Sequence, residues 1–322
     1  MDPLEYCLID KEIVLSESSV AFNLYIEKED TKTITLLKEG NESFSPGDMC
    51  KINNGSSLYV KTEEILKYAH LYDLDTSDQN FSHSAKDLYL NASTILDNIF
   101  STNTVTNEYQ LATKMTKTII KFISDKAFSL HNTMQYASKS YYTHTHSINV
   151  SIYALCLGKF LGMEHEELQD LGIAALLHDL GKRDIDNKLL YKEGSLTEDE
   201  FRIVKMHSVI GYNWARKLGI HNRRILDGIR YHHEKLDGSG YPYGLRGNDI
   251  PKSAKIIGIC DIFDALTSKR SYQEKISSFE AFKLMKKKMN VHIDMHILDN
   301  MILLFQNDVK LSDSQNLHSN FS

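Results

Sequence analysis

Hydrophobic positions along the chain change their period twice. Near the N-terminus they form short β-branched and aromatic runs, Ala21-Phe-Asn-Leu-Tyr-Ile-Glu, Lys32-Thr-Ile-Thr-Leu-Leu-Lys and Ser57-Leu-Tyr-Val-Lys, each bounded by charged or turn residues. These predict strands, and Thr62-Glu-Glu-Ile-Leu-Lys-Tyr-Ala-His-Leu after them predicts a helix capped by Thr62. From residue 76 the apolar spacing turns helical in Asp87-Leu-Tyr-Leu-Asn-Ala-Ser-Thr-Ile-Leu and Leu111-Ala-Thr-Lys-Met-Thr-Lys-Thr-Ile-Ile-Lys-Phe-Ile. Beyond about residue 136 the pattern is helix after helix. Val150 to Gly162 is amphipathic and stops at a glycine. Leu171-Gly-Ile-Ala-Ala-Leu-Leu and Ile256-Ile-Gly-Ile-Cys-Asp-Ile-Phe-Asp-Ala-Leu are apolar almost all round, which predicts two buried central helices. The fold expected is mainly α: a small α/β domain over 1–75, a helical linker over 76–128, an all-helical domain over 129–310 and a tail over 311–322. The linker is long and free of proline, and suits pairing with a second copy in a homodimer; plain surface packing serves it equally well.

Composition narrows the class. Among 322 residues, 4 prolines favour long helices. A net charge of −6 gives no basic footprint for nucleic acid. No apolar run is long enough to cross a membrane, and the N-terminus lacks a secretory core. Four scattered cysteines, Cys7, Cys50, Cys156 and Cys260, form no C-x-x-C pair, which fits a reducing, cytoplasmic setting.

The 14 histidines carry the chemistry, because 8 of them lie between His144 and His233. His146, His178, Asp179, His207, His232, His233 and Asp261 are the candidate metal ligands. His144, His165 and His221 stand in polar or loop contexts and are read as incidental. His178-Asp179 ends the most apolar helix, where an uncompensated ion pair is costly. Neighbouring helix positions point about 100° apart, so adjacent His-Asp and His-His pairs suit ligation of two ions better than chelation of one. Imidazole and carboxylate without thiolate suit Fe²⁺, Mn²⁺, Zn²⁺, Ni²⁺ or Co²⁺ and do not by themselves choose among them. Five histidines and two aspartates fill roughly two-thirds of the dozen positions of two six-coordinate ions if Asp179 bridges them. Two ions about 3.5–4 Å apart with open positions are the recurring apparatus of phosphoester hydrolysis.

His178-Asp179-Leu-Gly-Lys182, His232-His233-Glu234 and Asp237-Gly-Ser-Gly240-Tyr241-Pro242, in this order, resemble the HD-GYP family of cyclic-di-GMP phosphodiesterases. The likeness continues in His146-Ser-Ile-Asn-Val, Leu196-Thr-Glu-Asp-Glu-Phe, His207-Ser-Val-Ile-Gly, Gly244-Leu-Arg-Gly and Asp261-Ile-Phe-Asp-Ala-Leu-Thr-Ser-Lys-Arg270. It implies a helical catalytic domain and the seven ligands already named. It also implies hydrolysis of cyclic-di-GMP to pGpG or GMP by a hydroxide bridging two metals. Asp179 and Lys182 are then catalytic, and Lys182, Gly240, Tyr241, Pro242 and Arg270 bind substrate. Gly238 and Gly240 are expected to supply positive-φ turns; Glu234 and Asp237 are expected to order the loop rather than bind metal. Tyr142 stands where some members have a third-metal glutamate, Gln273 replaces a customary basic residue, and Ser208 replaces a customary proline. The alternatives are a signalling module that binds cyclic-di-GMP, or a protein partner at the Gly-Tyr-Pro loop, with little turnover; hydrolysis of another cyclic dinucleotide such as cyclic GMP-AMP; and a nucleotide phosphohydrolase of the wider HD group.

Overall fold

A computed structural model describes residues 6–9, 14, 18–28, 33–53, 57–61, 64, 85–101, 108–124, 128–137, 144–192, 194–268 and 275–319. The chain divides into two compact units, Met1–Leu111 and Ala112–Ser322. The division runs inside the stretch 76–128 expected to be a helical linker.

In the first unit, β1 (Tyr6–Ile9), β2 (Leu24–Lys28), β3 (Thr33–Lys38) and β4 (Leu58–Lys61) make a four-stranded sheet ordered β1-β4-β2-β3, every pair antiparallel. Alternation is clearest in β4, where Leu58 and Val60 are buried while Tyr59 and Lys61 are partly exposed. The three predicted strands are present. β1 was not predicted, because four residues between charged neighbours carry too little alternation to register. Nor was α1 (Pro46–Asn53), which begins where the Ser45 Oγ accepts the Asp48 amide at 3.2 Å and the Asp48 carboxylate accepts the Ser45 amide at 3.0 Å. The helix predicted from Thr62 lies outside the described residues except for position 64. α2 (Ala85–Ser101) buries Leu88, Tyr89, Ala92, Ile95, Leu96 and Ile99 on a 3.6-residue period.

The second unit is helical throughout its described residues. It takes in the C-terminal part of α3 (Glu108–Phe122), then α4 (Leu130–Ala137), α5 (Thr145–Phe160), α6 (His165–Leu177), a 3₁₀ turn over Leu180–Asp184, α7 (Asn187–Leu190), α8 (Glu198–Lys205), α9 (His207–Lys217), α10 (Arg223–Tyr231), α11 (Lys252–Thr267), α12 (Ser278–Lys288) and α13 (Met295–Ser319). No helix among the described residues is long and apolar enough to cross a membrane. The all-apolar pattern of α6 has a direct cause: α5, α10 and α11 all pack against it, so Leu168, Leu171, Ile173, Ala174, Ala175, Leu176 and Leu177 are buried on every side. α5 and α11 are likewise buried along most of their length. Thr197 and Glu200 cap α8 reciprocally, and Ser277 and Glu280 do the same for α12. The 3₁₀ turn lies against α9, where Gly181 faces the backbone of His207 and Gly211 so closely that any side chain would overlap it. That approach brings the segment after His178-Asp179 to the start of the helix carrying His207.

Candidate metal centre

Three imidazoles are set by one local device. The last four carbonyls of a helix have no partner within it. His178 follows α6, His207 follows α8 and His232 follows α10, and each places Nδ1 on the carbonyl three residues back: Ala175 at 2.8 Å, Val204 at 2.7 Å and Ile229 at 2.8 Å. A carbonyl only accepts, so Nδ1 carries the proton and Nε2 presents its lone pair inward. Burial holds His178, His207 and His232 below the usual imidazole range, His232 well below. His233 is pushed down to about 3 by burial, against the pull of Asp261. All four are therefore neutral at pH 7, as metal ligation requires.

His146, in the first turn of α5, differs. Its Nδ1 lies 2.7 Å from Asp264 Oδ2 and its Nε2 3.2 Å from Asp261 Oδ1. Burial opposes its charge, but the two carboxylates outweigh it and raise the ring to about 10. Asp264 is fully buried and also accepts Asn149 Nδ2 at 2.7 Å and Ser268 Oγ at 3.0 Å. It was not among the predicted residues, yet it fixes the orientation of one that was. The available signal is spacing: Asp264 follows Asp261 by three residues, on the same face of α11. Asp264→Asn should lower metal affinity about 10–100-fold, measured by titration of the stripped protein, through loss of the acceptor that orients His146.

The two central carboxylates span two groups of donors. His146, His178 and Asp179 form one group and His207, His232 and His233 the other, each with ligand atoms within 4.8 Å of one another. Asp179 Oδ2 lies 3.4 Å from His178 Nε2 and 3.7 Å from His146 Nε2, while its Oδ1 lies 3.5 Å from His207 Nε2. Asp261 faces His146 with Oδ1 and His233 Nδ1 with Oδ2, the latter at 3.9 Å. Burial alone would raise both carboxyls; Lys182 chiefly holds Asp179 well below the carboxylate range, and His146 does the same for Asp261.

These donors fit divalent ions on the evidence of their own geometry. His207 Nε2 and His232 Nε2 stand 3.4 Å apart. With both Nδ1 atoms protonated, two lone pairs face each other without a proton between them, an arrangement a cation relieves. The buried Nε2 atom of His178 has no hydrogen-bond partner. The donor set is imidazole and carboxylate, suited to iron, manganese or zinc.

Around the centre, Lys182 Nζ donates to Asp179 Oδ2 at 2.6 Å. The Tyr241 ring lies 4.7 Å from that of His233, and Lys205 Nζ stands 5.5 Å from the Tyr241 ring. A cavity of about 430 Å³ opens beside them, lined by Lys182, His232, His233, Glu234 and Asp261 among others. A larger one of about 1570 Å³, under Phe279, Phe282 and Phe305, holds none of the seven predicted ligands.

A model of the HD domain family matches residues 103–297. The chain belongs to the HD domain family. The chain is 47% identical over 117 residues to the cyclic di-GMP phosphodiesterase response regulator RpfG of Xanthomonas campestris, covering 35% of this chain and 30% of that protein. It is 36% identical over 157 residues to 3′3′-cGAMP-specific phosphodiesterase 3 of Vibrio cholerae, covering 49% and 34%. The chain thus spans about a third of the length of these relatives. A solved structure described as an HDG"Y"P protein from Bdellovibrio bacteriovorus shares the fold, with TM-score 0.64 at 19% identity, over 92% of this chain and 98% of that one. The resemblance carried by the motifs is thereby borne out.

The loop of the HD domain after His233 is ordered as expected. Glu234 accepts the amides of Tyr243 at 2.7 Å and Leu245 at 2.9 Å, and Asp237 accepts the amide and hydroxyl of Ser239 at 3.1 and 2.8 Å. The glycine expectation needs one correction. Gly238 has φ +79°, but Gly240 is not in the left-handed region; it is required because a Cβ there would meet the backbone of His233, Glu234 and Lys235. Tyr241-Pro242 is a cis peptide. Ser208 is buried, its Oγ donating to the Lys205 carbonyl at 3.3 Å. Arg270, Tyr142 and Gln273 lie outside the described residues.

Proposed function

We propose that this HD domain is a metal-dependent phosphodiesterase of cyclic dinucleotides, with cyclic-di-GMP as its substrate and linear pGpG or GMP as product. The observation that carries the reading is Asp179, whose two oxygens face two separate histidine groups. His146, His178, Asp179 and Asp261 would hold one divalent ion, and His207, His232 and His233, with Asp179 shared, a second; Fe or Mn is the metal proposed. Ions bound there would supply Lewis acidity toward a phosphoryl oxygen and lower the pKa of water.

The chain's own residues then have distinct tasks. The neutral imidazoles of His178, His207 and His232, with Nδ1 protons fixed on backbone carbonyls, keep their Nε2 atoms in place without reorganisation. Asp179 and Asp261, ionised at neutral pH, balance the positive charge of the centre. Lys182, whose Nζ donates to Asp179 at 2.6 Å, would face a phosphate held at the centre and could place a proton from Nζ on the leaving oxygen. Burial, with Asp261 and Asp179 nearby, raises the Tyr241 hydroxyl above its usual range, so Tyr241 stays a neutral wall and hydrogen-bond donor. Gly240 and Pro242 hold that wall against His233. Cyclic-di-GMP phosphodiesterases and cyclic-GMP-AMP-specific phosphodiesterases among the curated relatives support the substrate class.

The test is elemental analysis of anaerobically purified protein together with turnover of cyclic-di-GMP and 3′3′-cyclic GMP-AMP. Two equivalents of metal and conversion to linear product are expected, with activity lost on chelation and restored by Fe²⁺ or Mn²⁺. Tight dinucleotide binding without turnover at full metal occupancy would instead favour a binding module.

A further inference from the structure

Lys205 closes α8 two residues before His207, outside every motif that singled out the site. Its Nζ lies 4.4 Å from the centroid of Phe201, one turn back, and 5.5 Å from that of Tyr241. The Tyr241 ring in turn stands 4.7 Å from His233 and 6.2 Å from His207. Among the described residues no carboxylate comes within ion-pair distance of Lys205. Of the other cations by the centre, Lys182 pairs with Asp179, Lys255 with Asp294 at 3.5 Å, and Arg230 stacks on Tyr212 and Tyr243.

Aromatic faces hold an ammonium in place without neutralising it, so Lys205 keeps both its full charge and its donors for an incoming anion. Its place matters as much as its charge. Lys182 sits on Asp179 between the two histidine groups, where the phosphate to be cleaved would lie. Lys205 Nζ stands 5.5 Å from the Tyr241 ring, whose centroid lies 4.7 Å from that of His233. Two cations at two distances suit a substrate with two anionic groups.

We propose that Lys205 is a binding residue for the second, uncleaved phosphate of a cyclic dinucleotide, with Tyr241 and Phe201 positioning its ammonium. The proposal rests on the phosphodiester reading of the centre and adds to it a requirement for two phosphates in the substrate. It makes no choice between bases, since both cyclic-di-GMP and cyclic GMP-AMP carry that phosphate.

The experiment compares steady-state kinetics of the metal-replete protein, Lys205→Met and Lys205→Arg on cyclic-di-GMP and on bis(p-nitrophenyl) phosphate, a diester with a single phosphate. Methionine keeps the apolar stem between the rings and removes the charge. The Met variant is expected to raise KM for cyclic-di-GMP about tenfold, the effect of losing one charge-assisted hydrogen bond. Its kcat should stay within about twofold, and the ratio of kcat/KM between the two substrates should shift about tenfold against the dinucleotide. Arginine should restore most of the loss. An unshifted ratio, whether both substrates lose in proportion or neither does, would overturn the role of Lys205 alone, as would a failure of arginine to restore it. A wild-type protein that cleaves bis(p-nitrophenyl) phosphate but no cyclic dinucleotide would overturn the substrate reading and this role together.

Discussion

Replacing Asp179 with alanine is expected to strip the protein of metal and to lower phosphodiester turnover on the order of 10³-fold, the equivalent of several kcal/mol of lost charge stabilisation. Its two oxygens reach toward both histidine groups, at 3.4 Å from His178 and 3.5 Å from His207. It is held ionised at neutral pH despite burial, chiefly by Lys182. Its removal leaves the imidazoles without the negative charge that makes a divalent pair affordable there. Asp179→Asn separates charge from shape: it keeps the volume, and by losing the charge should still fail to retain two ions. Elemental analysis and turnover on the same preparation check this. A variant that keeps two metal equivalents and its activity would refute the assignment of the centre.

Gly181→Ala is expected to act through packing. The added methyl would overlap the His207 carbonyl and the Gly211 amide nitrogen, which are backbone atoms and cannot swing aside as a flexible side chain could. The 3₁₀ turn must then part from α9, at a cost of about 3 kcal/mol, the upper end for overpacking a well-filled site. For a unit of this size that lowers the unfolding midpoint by roughly 6–12 °C. Lys182 and Asp179 flank the glycine and His207 lies across from it, so metal affinity should fall alongside stability. Thermal unfolding of the metal-free protein reads the packing effect by itself; a midpoint within about 2 °C of the native protein would show that the turn adapts.

Much of the second unit was legible in the chain because its signals are local. α6 and α11 are apolar all round, and a helix of that kind has no option but burial. The short runs at 24–28, 33–38 and 58–61 alternate well enough to appear as strands, whereas β1 and α1 are too brief to rise above their charged surroundings. The seven candidate ligands were visible as residue types in order. Their division into two groups was not. That division depends on where three helices end relative to one another, and on carbonyls three residues back that set each imidazole.

What the sequence determined alone was the helical class of the domain expected over 129–310 and the list of donors, since both follow from periodicity and side-chain chemistry. What tertiary structure decided was which oxygen of Asp179 faces which histidines, that Asp264 orients His146, that Gly240 serves close approach rather than a left-handed turn, and that Lys205 meets the Tyr241 ring. The physical reason is common to all four. Each depends on contacts between segments far apart in the chain, and residue order says nothing about a distance until the packed helices set it.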